Sequence, residues 1–186
     1  TPEKCSWRTM GTIDDLYALR YSSNVYQYKI AIKVGNGNYQ HNKSLKIDES
    51  AFDKYRDMYA SFGLGVKTGI DLPVESLGYS GKSKLPGHLL DFSIGQYDTY
   101  TPIQLSQYIS TVANGGNRMK PYLLKAVYEP TKIKLTNLVY QNESIILNKV
   151  NLDTVKIVNY YMDKEEVNYH KLVPNYLKLP QALENK

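Results

Sequence analysis

Apolar residues along the first half of the chain recur at spacings of three and four, which predicts amphipathic helices. Thr12, with Asp15 three residues later, predicts the N-cap of a first helix. A second apolar run, Val25 to Val34, predicts another helix, so the polar stretch Ser22-Ser23-Asn24 separates the two. A third helix is predicted from Ser50. Its apolar face holds Phe52, Tyr55, Met58, Tyr59 and Phe62.

The second half of the chain predicts a loop, a helix and a β-hairpin. Residues 63–100 are rich in Gly, Pro, Ser and Asp, which predicts a long ordered loop without regular structure. Thr101-Pro102-Ile103-Gln104 predicts a helix start, because it supplies an N-cap, a proline at the first helical position and a capping-box glutamine. Two strands, Pro121 to Tyr128 and Leu138 to Leu147, are predicted to pair through a polar connection. The buried face of the helix is predicted to hold Leu105, Tyr108, Ile109, Val112 and Ala113.

These elements predict an α+β fold that is predominantly helical and carries one β-hairpin. Asn151 is predicted to cap a last helix, and the tail beyond Lys164 shows no clear period. The chain has 186 residues, of which 42% are hydrophobic, enough for one domain or part of a larger one.

Charge and residue usage narrow the possible functions. The net charge of +5 is scattered, and the eighteen tyrosines fall at core-facing helical spacings, so nucleic acid is not an expected partner. Cys5 is the single cysteine, and the three histidines are far apart, so we expect neither a disulfide framework nor a metal or other cofactor. No apolar run is long enough to cross a bilayer, and any membrane anchor is expected to lie outside this chain.

On physical grounds alone, Ser22-Ser23-Asn24 is a polar break whose residues suit helix caps. Its neighbours form a longer pattern, with these stretches in order: CSW at 5–7, ALRYSSNVY at 18–26, FGLGVKTGIDLPVE at 62–75, SIGQYDTYTPIQLSQY at 93–108, TVANGG at 111–116 and KP at 120–121. In order and spacing they resemble the motifs of the class B penicillin-binding proteins, most closely the Gram-positive monofunctional D,D-transpeptidases. The resemblance covers residues 3–162 and implies the helical part of the transpeptidase fold.

The chemistry of that family uses three motifs, and this chain matches one of them. An S-x-x-K helix supplies the nucleophile, an S-x-N loop relays protons and positions substrate, and a K-T-G strand forms the far wall. No Lys in this sequence has Ser three residues before it. Lys67-Thr68-Gly69 has the letters of the third motif, but it lies in the glycine-rich loop and precedes Ile-Asp-Leu-Pro. Residues 1–186 are therefore expected to be a partial transpeptidase domain that lacks the S-x-x-K and catalytic K-T-G segments, with the nucleophile N-terminal to residue 1.

The resemblance also assigns roles to individual residues. Ser22 is expected to pass a proton between the missing lysine and the leaving-group nitrogen, and Asn24 to hold that lysine and donate its amide to a substrate carbonyl. Gln96 is expected to position substrate. Ser23 and Tyr26 are expected to serve packing and helix capping, and Lys67 to face solvent or cap the preceding loop.

By resemblance, the parent protein is a serine-type D,D-transpeptidase at the extracytoplasmic face of the cell membrane. Its expected partners are the D-Ala-D-Ala stem peptide of peptidoglycan, β-lactams, and the glycosyltransferase and elongation or division machinery. This chain alone is expected to be inactive and to self-associate through apolar faces meant for the rest of the domain. Two alternatives stay open: a noncatalytic homologue that acts as a cell-wall interaction module, and a β-lactam sensor or β-lactamase.

Overall fold

The structure, a computed structural model, describes residues 4–130 and 135–152. Its helices and strands lie in the unit Thr1–Asn151. The helices of the described residues are α1 (Asp15–Arg20), α2 (Asn24–Val34), α3 (Ser50–Ser61), α4 (Pro86–Ser93) and α5 (Pro102–Ala113). The strands are β1 (Asn117–Met119), β2 (Ala126–Pro130), β3 (Leu135–Gln141) and β4 (Ile146–Lys149). This content confirms an α+β fold that is mostly helical.

The helices predicted for the first half of the chain are present, with one correction at a cap. Helices α2 and α3 lie where the apolar period placed them. Helix α1 is capped by Asp14, whose side chain accepts the Tyr17 N–H at 2.7 Å, so the prediction of Thr12 as the cap is wrong. An ionised carboxylate is a stronger hydrogen-bond acceptor than a hydroxyl, and the positive end of the helix dipole stabilises its charge.

The predicted loop 63–100 contains a helix, so its reading as wholly irregular is wrong. Helix α4 begins with Pro86 at its first position and buries Leu89 and Phe92. Proline is well suited to the first turn of a helix, but the glycines and serines around Pro86 are typical of a loop, so no helix was predicted here. In the described residues, the remainder of the loop forms no helix and no strand longer than the single bridge between Tyr79 and Thr99.

Helix α5 has the predicted capping box, but it buries a different face from the one predicted. Thr101 and Gln104 cap each other's main-chain N–H groups. The buried side chains are Gln104, Gln107 and Thr111, whereas Leu105 is 47% exposed and Ile109 is 60% exposed. The polar face is buried because loop carbonyls need hydrogen-bond donors there. Gln104 Nε2 donates to the carbonyl of residue 66 at 2.8 Å. Gln107 Nε2 donates to the Thr68 carbonyl at 3.2 Å and also to the carbonyl of residue 119, in β1, at 2.7 Å.

The predicted hairpin exists, but its strands are shorter and a second pair flanks it. Strands β2 and β3 pair antiparallel, with Ala126 opposite Gln141. The predicted strand from Leu138 to Leu147 is two strands, because the chain leaves the first pair after Gln141 and β4 pairs antiparallel with β1. The predicted helix capped by Asn151 and the tail lie outside the described residues.

The core joins α2, α3 and α4 through five buried residues: Ala31, Ala51, Phe52, Leu89 and Phe92. Tyrosine rings surround it. The Tyr59 ring lies edge-on to Phe92 with 5.2 Å between centroids, and its hydroxyl donates to the Phe92 carbonyl at 3.3 Å. Burial raises the pKa of Tyr59 well above its ordinary value. Tyr59 thus supplies apolar contact area to the core while its hydroxyl reaches a polar partner.

Candidate functional site

The turn between α1 and α2 holds Ser22 and Asn24, the two residues predicted to be catalytic. The Ser22 N–H donates to the Leu19 carbonyl at 3.2 Å, and the Ser23 N–H donates to the Ala18 carbonyl at 2.9 Å. This pair of bonds is the Schellman arrangement, which ends a helix with a left-handed residue that is usually glycine. Here the left-handed residue is Ser22, at φ 51°.

The two adjacent serines of this turn have opposite environments. Ser23 is 4% exposed, and its hydroxyl accepts the Tyr26 N–H at 3.4 Å as the N-cap of α2. This confirms packing and capping as the structural role of Ser23. Ser22 is exposed, and in the described part of the chain neither its hydroxyl nor the Asn24 amide has a hydrogen-bond partner. The polar groups of Ser22 and Asn24 are therefore available to an external ligand.

The left-handed backbone of Ser22 has an energetic cost. For an L-residue this conformation costs about 1–2 kcal/mol, because Cβ crowds the following carbonyl oxygen. Glycine at this position would avoid that cost, so the turn would be more stable with glycine than with Ser22. Strained backbone that the surrounding structure holds in place is a feature of catalytic and ligand-binding sites.

Gln96 lies just beyond α4 and is exposed. Its main-chain N–H donates to the Asp91 carbonyl at 2.9 Å, and the preceding Gly95 has φ 79°. Gln96 follows α4 and Ser22 precedes α2, and these two helices pack against each other through Leu89 and Ala31. No hydrogen bond among the described residues joins Gln96 to Ser22 or to Asn24.

An ion pair between the buried Asp98 carboxylate and the half-buried Arg56 holds the segment that follows Gln96, and no sequence pattern predicted it. The Asp98 side chain is 2% exposed. It accepts from Arg56 Nε at 2.9 Å, Arg56 Nη2 at 3.0 Å and the Gly81 N–H at 2.8 Å. Hydrogen bonding to Asp98 raises the pKa of Arg56. The partners are 42 residues apart in the chain and share no motif, so no local pattern marks them.

The tripeptide Lys67-Thr68-Gly69 has irregular backbone and lies outside every strand of the described residues, and only its Thr68 is buried. Glu75 accepts the Thr68 N–H at 2.8 Å, the Thr68 hydroxyl at 2.7 Å and the Gly69 N–H at 3.0 Å. Burial raises the pKa of Glu75, but these hydrogen bonds outweigh burial and bring it below the ordinary value. Lys67 is exposed, as expected. Its carbonyl accepts from Arg118 Nη2 at 2.9 Å, and no side chain within the described ranges accepts a hydrogen bond from its amine. Thr68 and Gly69 serve the loop's own hydrogen bonding.

The described residues contain neither a metal-ligand cluster nor a membrane-spanning helix. No group of three or more His, Cys, Asp and Glu side chains within residues 4–130 and 135–152 is placed to hold a metal ion. Over the same ranges, none of the helices combines the length and the apolar character needed to cross a bilayer.

Comparison with known proteins identifies the fold and the family. Residues 4–172 match the family model of the penicillin binding protein transpeptidase domain. Penicillin-binding protein 2A of Bacillus subtilis is 52% identical over 150 residues, which are 80% of this chain and 21% of the relative. Penicillin-binding protein 2B of Streptococcus pneumoniae (serotype 2) is 38% identical over 154 residues, 79% of this chain and 23% of the relative.

A solved structure agrees with these relatives. Penicillin-binding protein 2B from Streptococcus pneumoniae strain R6 superposes with a TM-score of 0.75 at 35% identity, covering 84% of this chain and 26% of that protein. The chain thus spans about a quarter or less of the relatives that it matches. It belongs to the penicillin-binding protein transpeptidase family, as a partial transpeptidase domain of the class B type.

Proposed function

We propose that this chain is part of a peptidoglycan D,D-transpeptidase that cross-links stem peptides through an acyl-serine intermediate and is acylated by β-lactams. Family membership supports the reaction class. The named relatives include Peptidoglycan D,D-transpeptidase MrdA of Acinetobacter baumannii, 34% identical over 95 residues and 45% of this chain. The observation that carries the proposal is Ser22, an exposed serine held at φ 51° with its hydroxyl unengaged among the described residues.

In this proposal Ser22 and Asn24 form one wall of the acyl-transfer cleft. The Ser22 hydroxyl both donates and accepts a hydrogen bond, so it passes a proton between a lysine amine and the leaving-group nitrogen. The Asn24 amide supplies an acceptor for that lysine and a donor for a carbonyl of the acyl-D-Ala-D-Ala stem. Gln96, exposed at the end of α4, positions the substrate.

The nucleophile must come from residues other than these 186, because the sequence contains no S-x-x-K. We therefore propose that the chain alone does not form an acyl-enzyme. The parent protein acts at the outer face of the cell membrane, where it meets stem peptides, β-lactams, and the glycosyltransferase and elongation or division machinery.

The first test uses the chain alone. It is incubated with a fluorescent penicillin, denatured and resolved on a gel. We expect no covalent label, and a label that survives denaturation would show that this chain contains its own nucleophile.

The second test uses a hybrid, in which the matching 80% of this chain replaces its 150-residue counterpart in Penicillin-binding protein 2A from Bacillus subtilis. We expect acylation of the hybrid, and a loss of about 10²–10⁴-fold in rate for Ser22→Ala, the usual contribution of a proton-transfer group. Ser44→Ala, in an exposed loop, is the matched control and should retain the parent rate.

The same hybrid separates the alternatives. A folded hybrid that is never acylated would favour a noncatalytic interaction module. Acylation followed by rapid release of hydrolysed penicillin would favour a β-lactamase. Full acylation of Ser22→Ala would contradict the assigned role of Ser22.

A further inference from the structure

Residues 4–8, here called the strap, contact the chain on both sides of Ser22, at Tyr21 and at Ser23. We propose that the strap positions this turn for acyl transfer and ties it to the segment that carries Gln96. The catalytic consequence rests on the proposed function, whereas the contacts themselves can be tested without it.

Ser6 supplies a helix cap from outside α2. Its hydroxyl accepts the Val25 N–H at 3.0 Å and lies 3.4 Å from the Ser23 hydroxyl. Val25 is the second residue of α2, so its N–H has no acceptor within the helix. The Ser23 hydroxyl already serves the Tyr26 N–H. Ser6 therefore satisfies a second donor at the helix start and holds Ser23 in place.

Trp7 fixes the other side of the turn. Its indole Nε1–H donates to the Tyr21 carbonyl at 2.9 Å. The Arg8 guanidinium lies between the two rings, 4.6 Å from the centroid of Trp7 and 4.6 Å from that of Tyr21. Tyr21 directly precedes Ser22, so its carbonyl sets the plane of the peptide that leads into the left-handed residue. With that carbonyl bound, the plane cannot rotate without breaking the Trp7 hydrogen bond.

The other end of the strap reaches α4. Lys4 forms an ion pair with Asp91, and the Asp91 carbonyl accepts the Gln96 N–H at 2.9 Å. Lys4 and Ser6 are two residues apart, so their Cα atoms lie within about 7 Å of each other. The strap thus links two predicted site segments that share no direct hydrogen bond among the described residues.

The sequence alone offers no reason to assign this role to the strap. CSW helps to identify the family, but its letters carry no helical period and no cap signal for a helix that starts some twenty residues later. The role follows only from the contacts of Ser6 with Val25 and of Trp7 with Tyr21 in the folded chain.

The contact is tested first in the 186-residue chain and in the hybrid, by hydrogen exchange at the Val25 amide. Ser6→Ala should speed that exchange by about tenfold, because the amide loses the Ser6 hydroxyl that accepts its hydrogen bond. Ser6→Thr keeps the hydroxyl and should exchange at the parent rate. Equal exchange in all three proteins would overturn the contact, whatever the activity of the hybrid.

The catalytic consequence is tested by the kinetics of acylation in the hybrid. Ser6→Ala should lower the first-order acylation constant by about tenfold and leave noncovalent penicillin binding nearly unchanged, since the turn is misplaced but not removed. Ser6→Thr should restore the rate. Trp7→Phe keeps an aromatic ring but removes the indole N–H that donates to the Tyr21 carbonyl. It should therefore show the same loss of about tenfold in acylation rate, even if Ser6→Ala does not fold.

The outcomes separate this proposal from the proposed function. Loss of acylation in Ser22→Ala, with full acylation in Ser6→Ala and Trp7→Phe, overturns the strap proposal alone. Full acylation in Ser22→Ala overturns the proposed function, and the Val25 exchange then still decides whether the strap holds the turn. A failure of Ser6→Thr to rescue Ser6→Ala also overturns the proposal.

Discussion

Replacing Ser22 by glycine should make the protein more stable and the site inactive. Ser22 closes α1 in the left-handed conformation, at φ 51°. Relief of that conformation contributes about 1–2 kcal/mol, and the greater freedom of glycine in the unfolded chain costs about 0.5–1 kcal/mol. The net expectation is a gain of about 1 kcal/mol. Ser22→Ala keeps Cβ and loses a hydroxyl without a described partner, so its stability should stay within about 0.5 kcal/mol of the parent.

The assay is urea unfolding of the 186-residue chain. Trp7 is its single tryptophan and binds the carbonyl that precedes Ser22, so its fluorescence reports on this turn, with far-ultraviolet circular dichroism as the global signal. With a slope of about 2 kcal/mol per molar urea, the gain should raise the midpoint by about 0.5 M. Ser106→Gly is the matched control, because this exposed serine lies inside α5 and glycine there should cost about 0.5 kcal/mol.

The expected order of stability is Ser22→Gly above the parent, the parent level with Ser22→Ala, and Ser106→Gly below. In the hybrid, both Ser22 variants should lose acylation alike. If Ser22→Gly were no more stable than Ser22→Ala, the residue would not be left-handed in solution. The inference that a strained backbone presents the hydroxyl would then be wrong.

Three further predictions concern the surroundings of the site. Asp98→Ala should lower the free energy of unfolding by about 2 kcal/mol in urea titrations, because the buried Gly81 N–H and the half-buried Arg56 guanidinium lose their acceptor; an unchanged midpoint would contradict that. Hydrogen bonds from Thr68 and Gly69 outweigh burial and lower the pKa of Glu75. Its stabilisation is therefore complete above the unfolded pKa of about 4.3 and is lost as the pH falls through the folded pKa. The urea midpoint of the parent should fall more between pH 6 and pH 3.5 than that of Glu75→Gln, and parallel falls would refute this. Lys67→Ala in the hybrid should acylate penicillin within about twofold of the parent, because the side chain is exposed; a large loss would place Lys67 in the active site.

Local signals predicted most of the helices correctly. The apolar period located α2 and α3, and the sequence Thr101-Pro102-Ile103-Gln104 located the start of α5, because capping and helical periodicity act over three or four residues. Helix α4 was missed although Pro86 marks its start. Its eight residues are too few to stand out from the glycine and serine around them.

The buried face of α5 shows where apolar pattern fails. Leu105 and Ile109 have the helical spacing of a core face, yet they are exposed and Gln104 and Gln107 are buried. The loop 63–77 presents carbonyl groups to this helix, and a buried carbonyl without a donor costs more than an exposed leucine. That balance depends on which segment packs against α5, which the sequence of α5 does not contain.

The sequence by itself determined the family, the α+β class and the position of the Ser22–Asn24 turn. The helical periods and caps rest on residues that are close together in the chain, and the family rests on the order and spacing of short motifs, so neither requires knowledge of tertiary contacts. The resemblance also separated the expected roles of Ser22 and Ser23. Only the tertiary structure showed that Ser22 has a left-handed backbone and is exposed, because that conformation depends on how α1 ends against α2. The strap contacts from Ser6 and Trp7 likewise join residues 14 to 19 positions apart. Such contacts form when chain segments pack together, so no local propensity or period encodes them.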